Sequence, residues 1–466
     1  MSDLKYYGYF VLGKLKRQFF RAYPENEIQY KKSLICAIIC NACSQTASSL
    51  ATGTFLVLLM TRLGMSDGNM GLILTFHNFA NLAQVISIKV SGRIVKNKLF
   101  VFVFEFQRIL LGVLFFLPLF GWKDNVSAAL LVIIYCFVQI CVYVCNPAFI
   151  AWVDSLVSKE TRGSYYALRQ SVTMIAMLTA SFVMGILVDI LKEHHLNLLF
   201  VILGVSIVVL QAVSMITIFF MKEKSTSIID ESGHEVVGSL AKKRRRVSTP
   251  LENISVTQEC VNAIRWPLFR KLLFIECLWV SGFALSSSFS TSYMLKELNL
   301  SYTLISAFSF VTCVIQSYLG PKFGKMADRN GTANITSGLV FLAAIQSLVL
   351  SLAIPSNGLV LFIISRILYA ISHAFVSVGL FNLKLENFTT NKRIVQLSII
   401  GIISGVFTYL ICIIAGEFVD WFQAYALTKD RFIGYAQQYI NALSFIILLV
   451  LAIYIRIIFN KKEGNE

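Results

Sequence analysis

Twelve apolar runs divide this chain and decide what it can fold into. Their approximate bounds are 33–60, 69–90, 99–120, 128–152, 165–190, 196–221, 271–295, 302–320, 334–354, 358–382, 394–421 and 437–459. A helix of about 20 residues, rising about 1.5 Å per residue, crosses about 30 Å of hydrocarbon. Only 14% of the 466 residues are charged and mean hydropathy is +0.71, whereas soluble domains carry about a quarter charged residues. The expected class is therefore an all-α integral membrane protein with twelve transmembrane helices. The first run follows a polar and amphipathic stretch without a small-residue cleavage site, so it reads as a retained helix and not a secretory signal.

The net charge of +16 invites a nucleic-acid reading, but the placement of the 41 Lys and Arg argues against it. Most of them fall in or beside the connectors on one side of a twelve-span arrangement. Basic residues concentrate on the cytoplasmic side of membranes, so both termini are expected there. Trp122 and Trp421 then fall at the outer interface, and Trp152 and Trp266 at the inner one. The run KKRRRV (242–247) lies in the polar connector after the sixth run, where it fits a cytoplasmic loop near anionic lipid. NVS (125–127) and NLS (299–301) fall outside, as glycan acceptors only if the chain enters a secretory pathway.

The layout suggests five segments: an amphipathic stretch 1–32 along the membrane surface, a six-helix bundle 33–221, a cytoplasmic loop 222–269, a second bundle 270–460 and a tail 461–466. The two bundles echo each other. Arg162 and GILVD (185–189) recur 231 positions later as Arg393 and GEFVD (416–420), which points to duplication. SGRIVKNK (91–98) likewise parallels FGKMADRNG (323–331) between the second and third runs of each half.

Here the sequence resembles a known family. GKMADRNG is similar to the G-x-x-x-D-R-x-G loop of the major facilitator superfamily, carried by Gly324, Asp328, Arg329 and Gly331. WVDSLVSKETRGSYYALRQ (152–170) resembles that family's fourth-to-fifth helix connection at Asp154, Arg162 and Gly163. The first-half loop keeps Gly92 and Arg93 but has Lys96 and Asn97 at the acidic and following basic positions. The resemblance implies two pseudo-symmetric six-helix bundles and a secondary transporter of unknown substrate. It also implies that Asp328 latches the cytoplasmic face against the start of the fifth helix, an arrangement worth about 0.3–1 kcal/mol between a carboxylate and a helix N-terminus. A merely solvated turn is the alternative.

By the same resemblance the first, fourth, seventh and tenth helices line a central cavity. Asn41, Gln45, Gln139, Glu276, Arg366 and His373 are the polar candidates there, with Glu276 the candidate for proton coupling. Arg366 and His373 lie seven residues apart, about two turns, and share a helix face. An unpaired Arg366 would favour anionic or zwitterionic solutes, although an interhelical bond is the simpler role for each of these residues. Glu105 and Arg108, three apart, are read as a structural ion pair. His77 and Arg169 are weaker candidates. Gly401 and Gly405 form a GxxxG pattern suited to close helix approach, and Pro147 is expected to kink the fourth helix.

The ten cysteines suggest packing; no metal or cofactor is expected. GxxxxGK[ST] does not occur, which sets aside an ATP-driven pump, and no nucleophile motif supports an enzyme. The expected partners are a small-molecule solute, the lipid bilayer and a coupling proton or sodium ion. The chain is expected to be a monomer in the plasma membrane. Efflux and uptake both stay open, with SVTMIAMLTASFVMG lacking the proline of standard proton-driven exporters of the family. A transporter-like sensor or scaffold without flux is the competing class.

Overall fold

A computed structural model of the protein describes residues 30–83, 97–157, 162–222, 227–229, 235–237, 263–388, 393–428 and 434–460. Hydrocarbon offers no water to backbone N–H and C=O groups, so apolar runs close their hydrogen bonds internally as helices. In the first half these are α1 (Lys31–Leu50), α2 (Gly53–Arg62), α3 (Asp67–Ala80), α4 (Asn97–Phe106), α5 (Ile109–Val113), α6 (Asp124–Leu156), α7 (Arg162–Leu191) and α8 (Leu196–Phe220). In the second half they are α9 (Pro267–Lys296), α10 (Tyr302–Asn330), α11 (Thr332–Ser351), α12 (Gly358–His373), α13 (Val376–Asn387), α14 (Arg393–Thr428) and α15 (Ala436–Asn460). A short hairpin of β1 (Ser227–Ile229) and β2 (Glu235–Val237) lies in the central connector and is the exception to an all-helical chain among the described residues.

Among the described residues, ten helices are long and apolar enough to cross a membrane. The second run is described only as α3 and a 3-10 turn, Asn81–Ala83. The third departs from the continuous helix expected over 99–120. It breaks after Phe106 and resumes as α5, then tightens into a 3-10 segment, Leu114–Phe120, that contains Pro118. Proline removes a backbone donor and clashes with the preceding turn, and the break itself falls between Glu105 and Arg108, whose pairing is described below. The tenth run is split between α12 and α13.

The eighth run is longer than its apolar part. Hydropathy ends near residue 320, yet α10 continues to Asn330, so Gly324, Asp328 and Arg329 lie on helix and not in a loop. Helix propensity does not require apolar side chains. The turn is confined to Gly331, whose φ of 84° and ψ of 134° suit only glycine well. Gly331→Val is expected to cost about 1–3 kcal/mol, read as a lower unfolding midpoint in detergent, with Asn330→Ala near neutral.

Burial gathers in several clusters, each drawn mainly from one half of the chain. Two buried clusters occupy the first half, around Phe115, Tyr135 and Phe200 and around Trp152 and Tyr165. Others occupy the second half, around Phe269 and Val340 and around Phe289 and Phe362. Large apolar side chains such as Ile175, Phe219, Phe220 and Ile414 point outward, where acyl chains replace water. Trp122 and Trp421 are about half exposed, but Trp152 is buried and donates its indole N–H to the Lys222 carbonyl, so it serves packing and not a headgroup belt. Of the GxxxG pair, only Gly405 sits at a close approach, against the Asn78 carbonyl; Gly401 faces open space. The side chain of Pro147 and the segments 1–29, 238–262 (with KKRRRV) and 461–466 lie outside the described residues.

Candidate functional site

The second half lines a partly open cavity of about 190 Å³ between α9, α11, α12 and α15. One wall is aromatic. On α9, Trp279 and Phe283 are four residues apart and stack at 6.1 Å; on α12, Tyr369 and His373 repeat the spacing and stack at 4.0 Å. His373 also lies 5.3 Å from Trp279 and 5.2 Å from Phe283, centroid to centroid. Further along α9, Ser287, Ser290 and Thr291 add hydroxyl groups to the lining, and Gln346 adds an amide from α11. Arg366 closes the cavity one turn from Tyr369.

Arg366 has no carboxylate partner among the described residues. Its Nη2 points to Met294 Sδ at 3.4 Å, its guanidinium lies 5.2 Å from the Phe362 ring centre and 5.8 Å from that of Tyr369, and its Nε is buried without a partner. His373 Nδ1 is 3.0 Å from Ser372 Oγ, while its Nε2 is buried and unbonded. The sequence placed Arg366 and His373 on one face, and the structure brings both to the same cavity.

The other polar candidates do not converge on it. Glu276, one turn before Trp279, accepts a hydrogen bond from Lys384 Nζ at 2.9 Å and so belongs to an ion pair between α9 and α13. Asn41 donates to Thr173 Oγ1 at 2.7 Å and accepts from Arg169 at 2.6 Å, tying α1 to α7. Arg169 also faces the rings of Phe149 and Tyr166. Gln45 is exposed and Gln139 half-buried. His77 bonds the Leu74 carbonyl of its own helix.

Glu105 and Arg108 are both buried and 3.3 Å apart. Ser44 on α1 donates to Glu105 and accepts from Arg108, and Gln211 on α8 donates to both the Glu105 carboxylate and its backbone carbonyl. The Glu105 carbonyl also accepts from the Arg108 N–H at 3.1 Å, a tighter turn than an α-helix makes, so the break between α4 and α5 falls where this carbonyl is shared with Gln211.

Contacts between the halves are built by α2, α3 and α7 on one side and α9, α10 and α14 on the other. At the end where α3 and α10 begin, two carboxylates cross the seam. Asp189, late on α7, accepts from the backbone N–H groups of Tyr302 at 3.1 Å and Thr303 at 2.7 Å. Asp420, late on α14, accepts from the Gly68 N–H at 2.9 Å and from the Ser66 hydroxyl at 2.7 Å. Asp189 thus satisfies two free N–H groups, and Asp420 one, in the first turn of a helix from the opposite half, where the helix dipole also favours negative charge.

The glycines of the same repeats make this reach feasible. A Cβ on Gly185 would lie 2.9 Å from Ser306 Oγ and 3.0 Å from the Tyr302 carbonyl, and one on Gly416 would lie 3.1 Å from the Gly68 carbonyl. In G-x-x-V-D, glycine allows the approach and aspartate, one turn later, makes the cap. Asp67 adds a third link, bonded to Lys296 at 2.6 Å and Gln423 at 2.8 Å. Sequence reasoning noticed the repeat but not its role; the signal was an acidic residue recurring four positions after glycine at the end of an apolar run.

The opposite end differs. α7 and α10 still touch at Met174 and Cys313, but beyond that Tyr318, Lys322, Met326 and Asp328 on α10 are exposed. Asp328 makes no hydrogen bond or ion pair to another described residue, so the latch expected at the start of α7 is not formed in this conformation. Asp154 lies on α6 and meets the Tyr166 hydroxyl at 3.5 Å. Arg162 and Gly163 open α7 and Arg393 opens α14, their side chains lying outside the described set, as do Gly92, Arg93 and Lys96 altogether.

The family sequence model described as Major Facilitator Superfamily matches residues 35–416. The chain belongs to the major facilitator superfamily. No curated protein sequence matches it. Several solved structures share its fold. The POT family transporter PepTSo is 10% identical with a TM-score of 0.67, over 93% of this chain and 99% of that one. A bacterial homologue of the iron transporter ferroportin, in an inward-facing state, is 13% identical with a TM-score of 0.63, over 91% and 97%. The D-xylose-proton symporter is 14% identical with a TM-score of 0.61, over 91% and 97%. At such identities the likeness concerns the fold. Membership makes this facilitator a multi-pass membrane protein of a small-solute transport family, and its many apolar helices agree with that.

Proposed function

We propose that this protein is a secondary active transporter that moves a small anionic or zwitterionic solute across the plasma membrane by alternating access. Twelve helices in two six-helix bundles, 33–221 and 270–460, would rock about the seam, with both termini and the 222–269 loop in the cytoplasm. The observation that carries the reading is the pair of symmetric caps at one end of the seam, together with the unlatched Asp328 at the other. Under the positive-inside orientation the capped end is external. On this reading the closed end is the outer one and the conformation is inward-facing, and Asp328 would engage when the outer end opens. Two caps that must break and one that must form are what a two-state carrier needs.

Glu276 is the candidate for proton coupling, with Lys384 as the partner that its protonation would release; a sodium-coupled cycle is the alternative. The protein would act as a monomer and without a resident cofactor. The competing reading, a sensor or scaffold without flux, draws on the loss of the acidic residue from the first-half loop at Lys96.

Purified protein in liposomes, with an imposed proton or sodium gradient and a panel of radiolabelled carboxylates and amino acids, tests the proposal. Gradient-driven uptake of at least one solute, abolished in Asp328→Asn or Asp420→Ala, is the expected result. Binding of a panel member without gradient-driven flux of any would favour the sensor.

A further inference from the structure

We propose that the cavity around Arg366 is a binding site for a small organic carboxylate with a flat, apolar body. The inference rests on the transport reading and narrows its solute from anionic or zwitterionic to anionic. Three observations combine. The cation is Arg366, whose guanidinium touches, among the described residues, only a thioether and two ring faces and keeps a buried N–H without a partner. An ionised side chain held at mid-membrane without a counter-charge is costly, and an anion in the adjoining cavity supplies that charge through the fork geometry that arginine offers a carboxylate.

None of the residues lining the cavity is acidic. An ammonium group would therefore find no counter-ion, which disfavours zwitterions and cations. The wall of Trp279, Phe283 and Tyr369 offers flat faces for a ring or other unsaturated body. Thr291 on α9 and Gln346 on α11 can bond a hydroxyl or carbonyl substituent. At about 190 Å³ the space is smaller than the roughly 300–1,000 Å³ of sites for drug-sized ligands, so the solute is compact. His373, with Nε2 unbonded at the floor, supplies a further polar contact.

The cavity lies wholly within the second half. A bound carboxylate would travel with that bundle as the seam alternates, and Glu276, paired with Lys384, lies one turn before Trp279 of the lining.

Isothermal titration of the full chain in detergent with benzoate, glycine betaine and choline provides the test. Benzoate should bind saturably, and betaine and choline at least about tenfold more weakly. Arg366→Gln should weaken benzoate at least about tenfold, and Arg366→Lys should recover part of that loss by keeping the charge but not the fork. Should Arg366→Gln fail to fold, Ser287→Phe, which fills the cavity and leaves the arginine in place, should block benzoate equally. Benzoate bound as tightly by Arg366→Gln or Ser287→Phe, preference for betaine or choline, or no benzoate binding would overturn the site. Binding that depends on Arg366 without flux would leave the site standing and defeat the transport reading. Gradient-driven flux of a cation or zwitterion, unaffected by Arg366→Gln, would do the reverse.

Discussion

Asp420→Ala is expected to release α3 from α14 and move the protein toward an outward-open form. The aspartate accepts one backbone N–H and one hydroxyl from the first turn of α3. Hydrogen bonds to a charged group contribute about 1.5–3 kcal/mol each, so losing even one changes the ratio of closed to open forms about ten- to a hundredfold. Asp189→Ala should do the same at α7 and α10, since its carboxylate takes both the Tyr302 and Thr303 N–H groups. Combining the two should exceed either alone. Faster hydrogen exchange in the segments 66–75 and 302–306, with exchange in α11 and α15 unchanged, is the expected reading. Uniformly faster exchange would mean that the aspartates hold the fold together and not its conformation.

The second large effect belongs to Glu105 and Arg108. Each is buried, and each is the other's counter-charge. Arg108→Met leaves a buried carboxylate uncompensated, at a cost of about 3–5 kcal/mol, and should sharply lower both yield and the unfolding midpoint in detergent. Glu105→Gln combined with Arg108→Met removes both charges and should recover most of that loss. A double variant no better than Arg108→Met would mean that the pair is needed for more than mutual neutralisation. The contrast separates a structural pair from one that works in transport, since a folded double variant can be assayed.

These two sites also show how far the sequence can be read. The apolar runs were legible because lipid imposes one demand on every spanning segment, and that demand is visible residue by residue. The Glu105–Arg108 pairing was legible from a spacing of three, but the break in the helix was not. Gln211, which reaches the Glu105 carbonyl beside the break, is 106 positions away. Asp189 and Asp420 stood out as repeats, whereas their partners lie in the opposite half, where no local pattern points. Lys384 was hidden in the same way: an interhelical bond was the simpler role for Glu276, but nothing in the sequence pointed to a lysine on α13 as its partner. Arg366 and His373 share a face by periodicity on one helix, yet most of the side chains that line a cavity beside them come from α9 and α11. The extension of α10 past residue 320 was missed because hydropathy marks where lipid ends, and a helix is free to continue into water.

The central claim is that the seam opens at its capped end. Cys412 on α14 is buried within the cluster that includes Leu72 of α3 and Phe289 of α9, so it should meet water only when the halves part there. A variant that keeps Cys412 as its single cysteine, in right-side-out vesicles, can be exposed to a membrane-impermeant maleimide. The account predicts slow labelling in the otherwise native chain and labelling at least about tenfold faster when Asp189→Ala and Asp420→Ala are added. Equal and slow labelling in both would contradict it.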